Sequence, residues 1–229
     1  MKKFALTTLV AIGVSATAFG QGADAKITQR LTASQAVLHE LMATPDKGIP
    51  LDIAAKAKCI AVIPGFKKGA FLVGGEYGQG VATCRDGHGW SAPVFIQLTG
   101  ASFGFQAGGQ STDLVLVGMT HHSLDDLLKD KVKLGGDVSV AAGPVGRDSQ
   151  ASTTELANSE FLTYSRSKGL FAGVDLNGDE VHQNAKDTSA FYGGDVSFQK
   201  VLSGGVPTPP AAEGFVSTVR HLFHDARNQ

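Results

Sequence analysis

The sequence predicts an α+β fold: a strongly curved, mainly antiparallel β-sheet with amphipathic helices at its N- and C-terminal ends. Three observations carry this. Helical periodicity is confined to the two ends of the chain. Between them lie many short apolar runs separated by turn residues, the pattern of an antiparallel sheet. The 29 glycines are dispersed through those runs with no collagen-like period. That is about twice the ordinary frequency of ~7%, and glycine inside strand-like sequence marks bulges, tight turns or strong curvature.

The first 20 residues read as a cleavable secretory signal peptide. Lys2 and Lys3 give a positive start, Phe4 to Val14 is apolar apart from two threonines, and small residues gather at Ala16, Ala18 and Gly20. A signal peptidase admits only small side chains at the last and third-last positions, so cleavage after Gly20 or Ala18 fits, with Ala25 a weaker third site. The apolar run is shorter than the ~20 residues of a membrane span. No cysteine lies near the cleavage region to carry a lipid. The expected location is therefore periplasmic or secreted, with residues 21–229 forming one domain. Its parts are N-terminal helices at about 24–57, a core at about 58–202 and a C-terminal helix at about 211–224.

In the first of these, Asp24 to Met42, the apolar residues Ile27, Leu31, Leu38, Leu41 and Met42 recur at helical spacing. Thr44-Pro45-Asp46 ends the helix, because Pro45 pushes its predecessor out of the helical region. A second, short helix is expected from Pro50 to Ala57. Strands follow at Cys59–Ile63, Ala70–Gly75, Gly78–Cys84, Pro93–Thr99, Ser102–Gly108 and Thr112–Met119, with a turn at residues 85–89. Ser123 to Lys129 reads as a helix with Ser123 as N-cap. Further strands are expected at 138–142, 152–156, 161–167 and 170–175, and Asn177-Gly178 reads as a hairpin turn. The last helix, Ala211 to His224, places Phe215, Val219, Leu222 and Phe223 on one face.

Charge and motifs narrow the function. The chain holds 20 basic and 21 acidic residues; losing residues 1–20 removes two lysines and no acid, leaving 18 against 21, a balance of −3. That disfavours general nucleic-acid binding, which needs a basic excess to displace counterions. Cys59 and Cys84, an even pair in an exported chain, predict a disulfide joining one strand to another; two buried thiols are the alternative. Gly100-Ala101-Ser102-Phe103-Gly104 matches the nucleophile elbow of serine hydrolases, with Asp113 and His121 or His122 in the right chain order. That motif needs a strand–turn–helix context, and strand-like sequence follows it here. Ser165-Arg166-Ser167-Lys168 matches S-x-x-K without its companion motifs. Asp175 to Glu180 fails as a calcium loop, because Glu180 stands where glycine is needed. Neighbouring His121 and His122 point too far apart to share a metal ion. No cofactor or metal is expected.

Three stretches resemble the SYLF domain family. They are Ala57 to Gly80, with Ala-Val-Ile-Pro, Lys-Lys-Gly and Gly-Gly-Glu-Tyr-Gly-Gln-Gly; Asp137 to Arg147, D-V-S-V-A-A-G-P-V-G-R; and Tyr164 to Gly173, Y-S-R-S-K-G-L-F-A-G, with Phe191-Tyr192-Gly193 downstream. The resemblance spans roughly Leu31 to Leu202 and implies non-enzymatic lipid binding. Eukaryotic relatives bind phosphoinositides and some bind actin filaments, partners that a periplasmic protein does not ordinarily meet. The implied target narrows to anionic phospholipid at the envelope membrane. Its expected contacts are Lys26, Arg30, Lys67 and Lys68 by position, then Arg166 and Lys168. An exported serine hydrolase using Ser102 or Ser165, or a module that docks another envelope protein, are the alternatives.

Overall fold

The computed structural model of the protein describes residues 18–43, 48–145, 158–167, 170–174 and 176–225. The signal segment up to residue 17, the turn at residues 44–46, the strand expected at 152–156 and Lys168 lie outside them. The fold is α+β, with a strongly curled, mainly antiparallel sheet of eight strands forming a half-barrel.

Helix α1 (Ala18–Met42) begins six residues earlier than its periodicity predicts, and α2 (Leu51–Lys56) starts behind Pro50. The chain then enters β1 (Cys59–Asp86), turns back through β2 (Gly89–Trp90) and returns along β3 (Val94–Gly118). Six strands were expected where these two long ones occur. The breaks expected at residues 64–69 and 76–77 do not end the strand. The first holds a register shift between Ile63 and Phe66, the second is paired without interruption, and a further shift lies between Ala70 and Leu72, inside an expected strand, with antiparallel pairing on both sides. A bulge adds a residue and bends the strand without ending its ladder.

Those bends let the β1–β3 ribbon roll up until it meets itself. Gly80 lies where the first part of β1 crosses the last: a side-chain carbon there would stand 2.3 Å from the Val62 carbonyl oxygen. The two ends of β1 are joined by the Cys59–Cys84 disulfide, with Cα atoms 4.0 Å apart. The predicted bridge therefore exists, but it closes one strand on itself. Around it Lys58 donates its N–H to Gly118, and Arg85 donates to Lys58. The Arg85 guanidinium donates to the carbonyls of Ala57 and Phe223 at 2.7 and 2.6 Å and lies 4.6 Å over the Trp90 ring.

The remaining strands extend this ribbon. They are β4 (Lys131–Lys133), β5 (Val140–Ala142), β6 (Phe161–Ser167), β7 (Leu170–Gly173) and β8 (Glu180–Gln183). The strand β6 runs antiparallel to β3 and β7, β8 pairs with β3 and β4, and the β5–β6 pair is the parallel exception. Asn177-Gly178 is a turn but not a hairpin, since β7 and β8 pair with other strands; Gly178 donates its N–H to Leu134 instead. Helices α3 (His122–Leu127), α4 (Ala185–Tyr192), α5 (Phe198–Leu202) and α6 (Pro210–Asp225) complete the order. Ser123 is not the cap of α3. It sits inside the first turn, where its buried hydroxyl accepts from Thr120 N–H and donates to the Glu160 carbonyl.

Strict alternation along the strands gives the sheet two apolar faces. Ile60, Val62, Val115, Val117, Leu162 and Tyr164 face outward, under a layer made by α1, α2 and α6. Cys59, Ala61, Ile63, Leu114, Leu116 and Phe161 face the rolled interior. From the helical layer, Ile27, Leu31, Leu38 and Leu41 of α1 meet Phe215, Val219 and Phe223 of α6, all buried. Each such side chain removed from water contributes about 1.5–3 kcal/mol, so α1 is docked from Ile27 to Leu41.

Two of the resemblance-bearing stretches meet at Gly143. A side-chain carbon there would lie 2.2 Å from the ring of buried Tyr164, so glycine makes the room that the tyrosine fills. The Tyr164 hydroxyl has no hydrogen-bond partner among the described residues, and burial, with Asp52 nearby, pushes its ionisation well above the usual range. Downstream, Tyr192 donates to the Pro93 carbonyl at 2.7 Å, and Gly193 ends α4 at a positive φ of 72°.

Three outcomes follow. Replacing Cys59 and Cys84 with alanine releases a 25-residue loop and is expected to cost about 3 kcal/mol, read as a lower urea midpoint matching that of the reduced wild type. Gly143→Ala should cost about 1–3 kcal/mol by overpacking. Tyr164→Phe, which removes an unpartnered hydroxyl, should leave thermal stability equal or higher.

Candidate functional site

The surface where α1 passes over the bend of β1 holds an open groove of about 330 Å³. Its walls follow from local rules. On α1, Lys26, Gln29, Arg30 and Ala33 share one flank at spacings of three and four, beside the buried stripe. On β1 the bulge at Pro64-Gly65 resets the register so that Phe66 is buried and Lys67 is exposed. Farther along the same strand Tyr77 and Gln79 complete the lining.

Three of the six residues expected to meet lipid come together here: Lys26, Arg30 and Lys67. Their charges are not equally available. Lys26 and Lys67 are exposed. The Arg30 side chain is 9% exposed; it pairs with Asp187 at 2.9 Å, donates to Gln79 at 2.6 Å and lies 5.4 Å over the Phe95 ring. Asp187 also accepts from Asn184, the N-cap of α4. Arg30 therefore fastens α1 to α4 and β1, and its charge is neutralised where it forms the groove wall.

Lys68, next to Lys67 on a strand, points to the opposite face. It pairs with the buried Glu76 at 2.8 Å and lies 5.7 Å from the Phe66 ring. Arg166 is on another strand. Its guanidinium pairs with Asp113 at 2.9 Å and with Glu40 of α1, while Asp113 also accepts the Gly65 N–H. Arg166 and Lys68 thus sit away from the groove, in ion pairs that hold the sheet and α1.

Tyr77, Gln79 and Asp187 did not emerge as site residues from the sequence. Tyr77 carried a signal all the same, as a bulky aromatic side chain in a run of glycines, Gly-Gly-Glu-Tyr-Gly-Gln-Gly. Asp187 carried none, since its partner is 157 residues away in the chain.

The hydrolase motifs lack their structural context. Ser102 lies inside β3, paired opposite Gly74, with strand on both sides. Ser165 lies in β6, which is extended through Ser167, whereas S-x-x-K needs a helix to bring its Ser and Lys to one face. Asp113 is engaged by Arg166 and Gly65. Among the described residues there is no cluster of three metal-ligating side chains, and no helix is long and apolar enough to cross a membrane.

Residues 99–222, more than half of the chain, match the Ysc84 family, described as "Las17-binding protein actin regulator". The "LAS seventeen-binding protein 3" of Saccharomyces cerevisiae is 38% identical over 173 residues, 73% of this chain and 37% of that protein. The "SH3 domain-containing YSC84-like protein 1" of Mus musculus is 37% identical over 172 residues, and that of Homo sapiens 36%; each alignment covers 74% of this chain and 50% of the relative. The chain thus spans half or less of the length of these relatives. The family match begins at Thr99, so Lys26, Lys67 and Tyr77 lie ahead of it. With these matches and the motifs that frame the Gly143–Tyr164 contact, the chain belongs to the Ysc84 family, the family of the SYLF domain.

Proposed function

We propose that the protein binds anionic phospholipid at a membrane surface, without catalysis, through the groove between α1 and β1. The observation that carries this reading is the pairing of two exposed lysines, Lys26 and Lys67, in one open groove. Every other cation expected to meet lipid and described in the structure is already engaged: Arg30 by Asp187, Lys68 by Glu76 and Arg166 by Asp113. A charge of −3 on the exported chain makes the contact local, since lysines near an anionic surface each contribute about 1 kcal/mol within a Debye length. In the same reading the protein works in the periplasm or outside the cell, and bacterial phosphatidylglycerol and cardiolipin are its targets.

The name of the yeast relative, a LAS seventeen-binding protein, supports a second reading, in which this chain docks another envelope protein. Vesicles separate the two. The purified protein should co-sediment with phosphatidylglycerol or cardiolipin vesicles at low salt and not with phosphatidylcholine. Lys26→Glu with Lys67→Glu should weaken this more than tenfold, whereas Lys133→Glu on β4 should not. Binding unchanged in the double variant, or absent in the wild type, would reject the lipid reading. Labelling of Ser102 or Ser165 by a fluorophosphonate would reject the absence of catalysis.

A further inference from the structure

Between Lys67 and Gln79, β1 presents bare backbone at two glycines. Gly69 and Gly75 have open space where a side chain would begin, with no atom within 4 Å. Tyr77 stands out from this stretch, 47% exposed. With Leu51 it is one of two large apolar side chains so exposed among the described residues, and Leu51 belongs to α2 and does not line the groove. An isolated exposed aromatic residue is ordinary on a protein surface. This one lies in the same groove as Lys26 and Lys67, the two groove lysines whose charges are unengaged by the pairings above.

A phosphate in solution offers such a groove charge and hydrogen-bond acceptors, and nothing for an exposed ring to cover. A bilayer surface offers both phosphates and the edge of an apolar phase. Tyrosine has an apolar body and a polar tip, and it is enriched where those two environments meet. We infer that Tyr77 is the interfacial anchor of the groove: its ring enters the headgroup layer while Lys26 and Lys67 meet the phosphates. This fixes how the molecule sits, with the bend of β1 and the flank of α1 toward the bilayer and the rolled interior away from it. The inference rests on the phospholipid reading and adds to it a residue, an orientation and a discrimination against soluble phosphate.

The test uses the full protein and phosphatidylglycerol vesicles. Tyr77→Ala should lower vesicle affinity about five- to tenfold, the loss from keeping that apolar area in water. Tyr77→Phe should stay within about threefold of wild type, since it keeps the ring. Thermal melts of both variants should match wild type, because half of the side chain is in solvent. In Tyr77→Trp, emission should shift to the blue on adding vesicles and be quenched by spin labels placed high on the acyl chains. Buried Trp90, 4% exposed, supplies a constant background. Inorganic phosphate at millimolar concentration should neither shift that emission nor displace the vesicles. If wild type binds vesicles while Tyr77→Ala binds equally and the emission of Tyr77→Trp does not move, the anchor is wrong and the lipid reading stands. Vesicle binding lost to millimolar phosphate overturns the claimed discrimination, and no wild-type binding overturns both readings.

Discussion

The β1–β3 ribbon must close on itself, and nearly every other element is placed by that closure. A two-stranded ribbon of this length has two apolar faces and no means of burying either while it is straight. Rolled up, it buries one face inside, where Cys59, Ala61 and Ile63 meet Ala82, Val94 and Ile96. The other becomes a convex surface that α1, α2 and α6 cover. The junction is made in several ways at one point: a disulfide, backbone hydrogen bonds between residues 58, 85 and 118, and the Arg85 side chain. Arg85 also accounts for two helix ends. The Phe223 carbonyl lies in the last turn of α6, where unpaired acceptors and the negative end of the helix dipole favour a cation, and the Ala57 carbonyl belongs to the residue that ends α2.

The fold class was legible because its signals are local. Apolar residues at spacings of three and four marked α1 and α6, and dispersed glycine marked curvature. The continuity of β1 and β3 was not legible. A Pro-Gly or Gly-Gly step looks the same whether the chain turns away or merely bends, and only the partner strand decides which. Ser123 misled for a related reason. A serine ahead of a helical pattern is a good cap, yet here its hydroxyl is drawn to Glu160, 37 residues away. The strands β4 and β8 and the helices α4 and α5 are too short to build a periodic signal, and they form because the ribbon offers them an edge or an apolar face.

The candidate site shows the same division between local and distant information. Sequence could mark which residues are basic and which lie near a bend. It could not tell which cations are already neutralised, because each acid that does so is distant in sequence or hidden by alternation. Asp187 reaches Arg30 from 157 residues away. Glu76 reaches Lys68 because both point to the face opposite Lys67. What remains once these pairs are removed is a smaller and more specific cationic surface than composition suggests, and the tyrosine beside it gives that surface an apolar component.

The clasp at Arg85 also governs when the molecule can finish folding. Its guanidinium needs the Phe223 carbonyl, 138 residues farther along the chain, and α1 is buried largely against α6. The earliest helix therefore lacks its main partner until almost the whole chain is available, whereas β1 can pair with β3 once Gly118 is made. Contacts of such separation make folding slow and leave apolar segments uncovered in the meantime. Under the export proposed above, that delay is an advantage, because the helical layer closes over the sheet only once the chain is complete.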